Sequence, residues 1–358
     1  MLSPREAVRT LPTYHPPLAG RNGLRLDFNE NTVGCSPRVL ARLRQLGAEE
    51  LARYPERERV EAKVAESLGV TAPELLLTNG VDEAIHLLCE TYLEPGDEAL
   101  IAVPTYSMYR IYMLAAGAAV VEVPAGVNFS FPVDDLCNRI TARTRLIAVA
   151  NPNNPTGTIA SVEDLQRLAR SAPDAAVLVD EAYFEFYGHS ILAAREKPGN
   201  VFVARTFSKA YGLAGLRLGA LVGDAEQMLA VRRVGSPYSV NVVALACAPE
   251  ALGDEAYIQR YVSEVQESRA RLERTLEESG IQFWPSHANF VLARVGAAAD
   301  FVEQMRRRGI LVRDRSRDYG CEGCVRITLG PREHADQLLA ALHETLQAMG
   351  IAQGASRP

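Results

Sequence analysis

Thr206-Phe207-Ser208-Lys209-Ala210-Tyr211-Gly212-Leu213-Ala214-Gly215-Leu216-Arg217-Leu218-Gly219 sets one lysine among hydroxyl groups and follows it, eight residues on, with an arginine. The apolar run before it, Val201-Phe202-Val203-Ala204, reads as a buried strand, so Lys209 follows a strand end. Desolvation there lets a lysine lose its proton and attack an aldehyde as a free amine. Ser208 and Arg217 add a hydrogen bond and a permanent cation suited to a phosphate. Together they suit pyridoxal 5'-phosphate, held as a Schiff base on Lys209. Alone, a lysine after a strand is more often solvated. Two further motifs outweigh that reading.

The first is Val177-Leu178-Val179-Asp180-Glu181-Ala182-Tyr183, an apolar strand whose far end carries an acid and a phenol. Ligands collect at strand ends in open α/β sheets. Asp180 can pair with a protonated pyridine nitrogen, and Tyr183 can donate to the ring's phenolic oxygen. Without the lysine, Asp180 and Glu181 would equally read as caps of the next helix. The second motif is Asn151-Pro152-Asn153-Asn154-Pro155-Thr156-Gly157, directly after the strand Arg145–Ala150. Two prolines and a glycine make a stiff turn, able to hold the Asn154 amide beside a flat ring.

With these residues in place, the chain resembles the fold-type-I pyridoxal-phosphate aminotransferases, and within them it is similar to the histidinol-phosphate aminotransferase family. The resemblance runs nearly end to end. It is carried by Leu11-Pro12-Thr13-Tyr14, Asn29-Glu30-Asn31, Arg53-Tyr54-Pro55-Glu56, Asn79-Gly80-Val81-Asp82-Glu83, Pro104-Thr105-Tyr106, the three motifs above and a C-terminal pair of arginine segments. One departure stands out. After Asn29-Glu30-Asn31 the chain has Thr32-Val33-Gly34 where the family usually has Pro-Tyr-Gly, which bears on the shape of the substrate entrance.

Composition agrees. A chain of 358 residues, 47% hydrophobic, exceeds the size at which one core keeps growing, so two domains sharing a cleft are expected. A net charge of -6 gives no general attraction to nucleic acid or membrane. The N-terminus lacks a basic-then-apolar leader pattern, and no apolar run approaches the roughly 20 residues that span a bilayer. A cytoplasmic protein is expected, with small molecules and a second copy of itself as partners. Six scattered cysteines are too sparse for a disulfide scaffold. Cys321-Glu322-Gly323-Cys324 has metal or redox spacing but lacks a second ligand pair, and reads as a turn before a strand; no metal site is expected.

From about Val60 to Gly223 strands alternate with helical segments, as a mostly parallel sheet requires. The fold class is α/β, with a large sheet domain and a smaller α+β domain. The expected division is an arm at 1–45 packing with the small domain, a large cofactor domain at 46–248, and a small domain at 249–358. In the latter, a long amphipathic helix (Ile258–Ser279) leads to strands at Asn289–Ala293, Ile310–Arg313 and Cys324–Leu329, with helices at Asp300–Arg308 and Pro331–Met349 between and after them. Gly80 precedes a helix, so the amides of Val81 and Asp82 can face the cofactor phosphate. Tyr106 follows a strand and a proline, where its ring can stack on the cofactor.

Arg313 and Arg326 fall on adjacent expected strands, and their forks suit a carboxylate or phosphate. Nearby Arg306, Arg307, Arg308 and Arg315 raise the plainer reading of a solvated basic face. The resemblance implies that Arg313 and Arg326, with Asn154 and with Tyr14 from the other subunit, hold the phosphate of histidinol phosphate. It also implies that Tyr54 crosses a dimer interface to the cofactor phosphate, making composite sites and an obligatory homodimer. The implied reaction is transamination of histidinol phosphate with 2-oxoglutarate, as part of histidine biosynthesis. In it Lys209 moves a proton between substrate and cofactor carbons, and the products are imidazole acetol phosphate and glutamate. The same scaffold admits an aromatic amino-acid aminotransferase, in which Arg326 would take the α-carboxylate, or a phosphothreonine decarboxylase. A ligand-sensing module that has borrowed the fold is the alternative outside enzymes.

Overall fold

Strand-forming apolar runs dominate the middle of the chain, and in the computed structural model, which describes residues 2–11, 13, 20–194 and 197–351, they assemble into one large sheet. The described strands are β1 (Leu24–Arg25), β2 (Leu75–Thr78), β3 (Glu98–Val103), β4 (Ala119–Pro124), β5 (Thr144–Ala150), β6 (Ala176–Asp180), β7 (Val201–Thr206), β8 (Gly219–Val222), β9 (Gln282–Trp284), β10 (Phe290–Arg294), β11 (Ile310–Leu311), β12 (Arg313–Asp314) and β13 (Cys324–Thr328). The large sheet has seven strands in the order β2-β8-β7-β6-β5-β3-β4. Within it β8 is antiparallel to both neighbours, and the other pairings are parallel.

The central strands are apolar along runs of four or more residues, Leu146–Ala150, Ala176–Val179 and Val201–Ala204, because both faces are covered there. Side chains alternate between two cores: Ile147, Val149, Val177, Val179, Val201 and Val203 pack on one face. Leu146, Ala148, Leu178, Phe202 and Ala204 pack on the other. Each fully buried side chain of this size contributes roughly 1.5–3 kcal/mol relative to exposure, so the sheet is a rigid platform for whatever stands at its edge.

A second, antiparallel sheet follows, ordered β12-β13-β10-β9. The long helix Glu255–Glu278 covers it with one stripe, burying Ile258, Tyr261, Val265, Leu272 and Leu276 at spacings of three, four and seven residues. Helices Ala298–Arg307 and Arg332–Ala348 complete that core.

The expected single strand Ile310–Arg313 is instead two short ones. Ile310 and Leu311 pair in parallel with Leu24 and Arg25, whereas Arg313 and Asp314 pair with β13, and Val312 is the break. The arm around residues 24–34 thereby becomes part of the small sheet's surroundings: Leu26 accepts from the Thr328 amide, and the Leu26 amide donates to Leu311. Farther along, Asn31 Nδ2 donates to the Ala210 carbonyl next to Lys209. Cys321 to Cys324 forms the expected turn before β13, with the Cys324 amide on the Cys321 carbonyl at 2.9 Å, and both thiols are free. Among the described residues no helix is long and apolar enough to cross a membrane.

Candidate active site

Parallel strands end on the same side of a sheet, and that is what gathers the site. β5 delivers the asparagine turn, β6 Asp180, β7 the lysine segment, β3 the segment before Tyr106, and β2 the glycine that opens helix Gly80–Tyr92. Because β8 runs the opposite way, its first residue, Gly219, lies opposite both Thr206 and Thr78, which brings Arg217 to the same edge. A cavity of about 300 Å³ opens there, between the large sheet and the small one. Lys209, Asp180, Tyr183, Asn154, Ser208, Arg217, Val81, Asp82, Tyr106, Arg313 and Arg326 all line it.

Lys209 Nζ donates to the Phe28 carbonyl at 3.1 Å. The side chain keeps accessible surface toward the cavity, but the protein packed around the amine removes bulk water. Burial, and then the Arg326 cation, lower the amine from its ordinary 10.5 to about 8, so a useful fraction is unprotonated near neutral pH. Asp180 shows the converse: burial raises its carboxyl to about 6, against hydrogen bonds from the Tyr109 hydroxyl at 2.6 Å and the Ala182 amide at 3.0 Å. A cation delivered opposite Asp180 would restore its ionised form.

The two polar side chains beside them are pre-oriented. Asn29 Nδ2 donates to the Tyr183 oxygen at 2.9 Å, which leaves the phenol proton free to be donated elsewhere. Arg326 Nη1 donates to Asn154 Oδ1 at 2.5 Å, which leaves the amide nitrogen of Asn154 as a donor. Asn153 stiffens that turn, accepting from Thr105 and donating to the Pro104 carbonyl. Tyr106 donates to Asp82 at 2.9 Å, and its ring meets that of Tyr109 edge-on.

At the helix start the backbone is tailored for close approach. A Cβ on Gly80, whose φ is +76°, would sit 2.4 Å from Arg217 Nη2, and one on Gly219 would sit 2.8 Å from the Gly80 carbonyl carbon. First-turn amides have no partner inside their helix, and with Ser208 and Arg217 alongside they form an anion cradle. Arg217 itself pairs with Asp82 at 3.2 Å. Across the cavity, Arg313 and Arg326 stand directly opposite in the β12–β13 ladder. Arg326 is buried, donates to the Asp27 carbonyl at 2.7 Å, and leaves its Nε without a hydrogen-bond partner among the described residues. An amine, an acid, a phenol and two anion cradles about one cavity fit a phosphorylated pyridine aldehyde and an anionic substrate.

Tyr54 does not line this cavity; it is 79% exposed and its ring lies 4.5 Å from that of Tyr238. Tyr14 lies outside the described residues. The sequence reading missed Tyr109, three residues after Tyr106 and so on the same helical side, and it left Asn29 without a role. It also counted Arg315 with the solvated basic residues, although Arg315 lines the cavity and shares a strand face with Arg313.

This fold and site define a fold-type-I aminotransferase. Residues 21–342 match the sequence profile of the family described as aminotransferase class I and II, and the chain belongs to that family. Its relatives include the histidinol-phosphate aminotransferase of Roseobacter denitrificans, 38% identical over 89% of this chain and 90% of the relative. That of Paracoccus denitrificans is 39% identical over 86% and 85%. A crystal structure of histidinol-phosphate aminotransferase from Sinorhizobium meliloti in complex with pyridoxal-5'-phosphate superposes with a TM-score of 0.84 at 26% identity, covering 96% of this chain and 97% of that one.

Proposed function

We propose that this chain transfers the amino group of histidinol phosphate to 2-oxoglutarate, yielding imidazole acetol phosphate and glutamate, with pyridoxal 5'-phosphate carried on Lys209. The observation that carries the reading is the pairing of a lysine whose amine burial lowers to about 8 with a wall of arginines across one cavity. When bound, the cofactor supplies a carbonyl for the amine and an electron-poor ring that accepts the electron pair released at the substrate carbon.

The residues divide that work. Lys209 would be the base and acid that moves the proton between the substrate carbon and the cofactor carbon, a task suited to an amine titrating near 8. Asp180, oriented by Tyr109, would accept from the protonated ring nitrogen. Tyr183 and Asn154 would donate to the ring's phenolic oxygen, Tyr106 would cover a ring face, and Ser208, Arg217 and the amides of Val81 and Asp82 would hold the cofactor phosphate. Arg313 and Arg326 hold the phosphate of the donor and a carboxylate of the acceptor in turn. A cytoplasmic homodimer belongs to the same proposal, with Tyr54 and Tyr14 reaching the neighbouring subunit's site; the exposure of Tyr54 supports it.

The test is glutamate formation by purified holoenzyme from histidinol phosphate and 2-oxoglutarate, with phenylalanine as a competing donor. Faster turnover of histidinol phosphate is expected. Turnover of phenylalanine with none of histidinol phosphate would reassign the chain to aromatic substrates.

A further inference from the structure

The short strand β12 carries more than Arg313. The amide of Arg315 donates to the Cys324 carbonyl at 2.9 Å, extending the ladder past Asp314. Arg313 and Arg315 therefore share one face, and it is the face that lines the cavity. Arg315 is held by a tight turn: the Asp318 amide donates to its carbonyl at 2.9 Å, and Asp318 Oδ2 lies 2.5 Å from Arg315 Nε. That contact is a half-buried ion pair. The Arg315 side chain is 15% exposed.

The guanidinium groups of Arg313, Arg315 and Arg326 thus line one wall, with the Asp318 carboxylate paired to Arg315 and the cavity-lining Glu30 paired to Arg21. Such a cluster repels itself. Burial first, and then Arg315, lowers the Arg326 guanidinium to about 10. A carboxylate offers two oxygens and one charge, which two arginine forks satisfy. A phosphate monoester offers three oxygens and close to two charges, and that is what a third fork accommodates.

Building on the reaction proposed above, we infer that Arg315 is a substrate-contacting specificity residue: the third arginine on the donor's phosphate, and the one that favours a dianion over the carboxylate of 2-oxoglutarate. Holoenzyme carrying Arg315→Gln should show a KM for histidinol phosphate raised about tenfold or more, the scale of one charged hydrogen bond. The kcat should stay within about twofold and the KM for 2-oxoglutarate within about threefold on the same scale. Arg315→Lys keeps charge and stem without the fork, and should fall between wild type and Arg315→Gln even where the latter folds poorly. Equal losses for both substrates, or no loss for either, would overturn the inference.

Inorganic phosphate separates this inference from the assigned reaction. As an inhibitor competing with 2-oxoglutarate, it should bind both variants more weakly than wild type whatever the natural donor is. Unchanged inhibition would overturn Arg315 as a phosphate contact, whereas weakened inhibition in an enzyme inert toward histidinol phosphate would leave Arg315 standing and remove the donor assignment.

Discussion

Tyr109 donates its hydroxyl to Asp180 across 2.6 Å, and both side chains are buried. The bond favours the ionised carboxylate, opposing the burial that lifts Asp180 to about 6. Tyr109→Phe removes it, so the carboxyl rises further and is protonated at higher pH. The acid limb of a kcat/KM profile should then move to higher pH; a limb that stays in place or moves lower contradicts this role.

The buried amine makes a stability prediction. Lys209 titrates near 8 in the folded chain and near its ordinary 10.5 when unfolded. Below about pH 8 the native state carries the full cost of a buried charge, and between the two values only the unfolded state keeps the proton, so stability rises with pH across that window. Apoenzyme with Lys209→Met should unfold at higher urea than wild type at pH 7, by on the order of 3 kcal/mol, and the gap should shrink toward pH 10. A gap that does not change with pH would contradict the depressed amine. The same variant should be inactive in transamination.

Gly80 has no room for a side chain. Its φ of +76° strains any L residue, and a Cβ would lie 2.4 Å from the Arg217 guanidinium. Gly80→Ala should therefore push Arg217 off the helix start and weaken pyridoxal phosphate binding by about tenfold or more, the value of one charged contact. Spectrophotometric titration of the apoenzyme measures it. Unchanged affinity would mean that the cradle tolerates displacement.

How much of this was legible in the sequence depended on how local the signal is. β5, β6 and β7 could be read directly because a strand buried on both faces presents a continuous apolar run, and the motifs at their ends inherit the sheet's parallel geometry. The break at Val312 was not legible, because it depends on Leu24 and Arg25 pairing with Ile310 and Leu311 from the other end of the chain. Arg315 was hidden for a related reason: among so many arginines, only the register of β12 against β13 tells a cavity residue from a solvated one. Tyr109 needed tertiary knowledge too, since its partner Asp180 arrives from a different strand.

Arg313 lies opposite Arg326 and over the Phe28 ring, 5.2 Å from its centroid. Arg313→Ala should cost the phosphate-bearing donor about 1.5–3 kcal/mol in kcat/KM and cost glutamate less, because a carboxylate can still be held by Arg326. Steady-state comparison of the two donors decides; equal losses would remove Arg313 from phosphate recognition.

The role of Lys209 as the cofactor's anchor is tested most directly by reducing the holoenzyme with borohydride, digesting it and locating the pyridoxyl group by mass spectrometry. The expected result is a single modified peptide carrying the group on Lys209, absent from the Lys209→Met protein. A modification on another lysine, or an unmodified Lys209 in active enzyme, would contradict it.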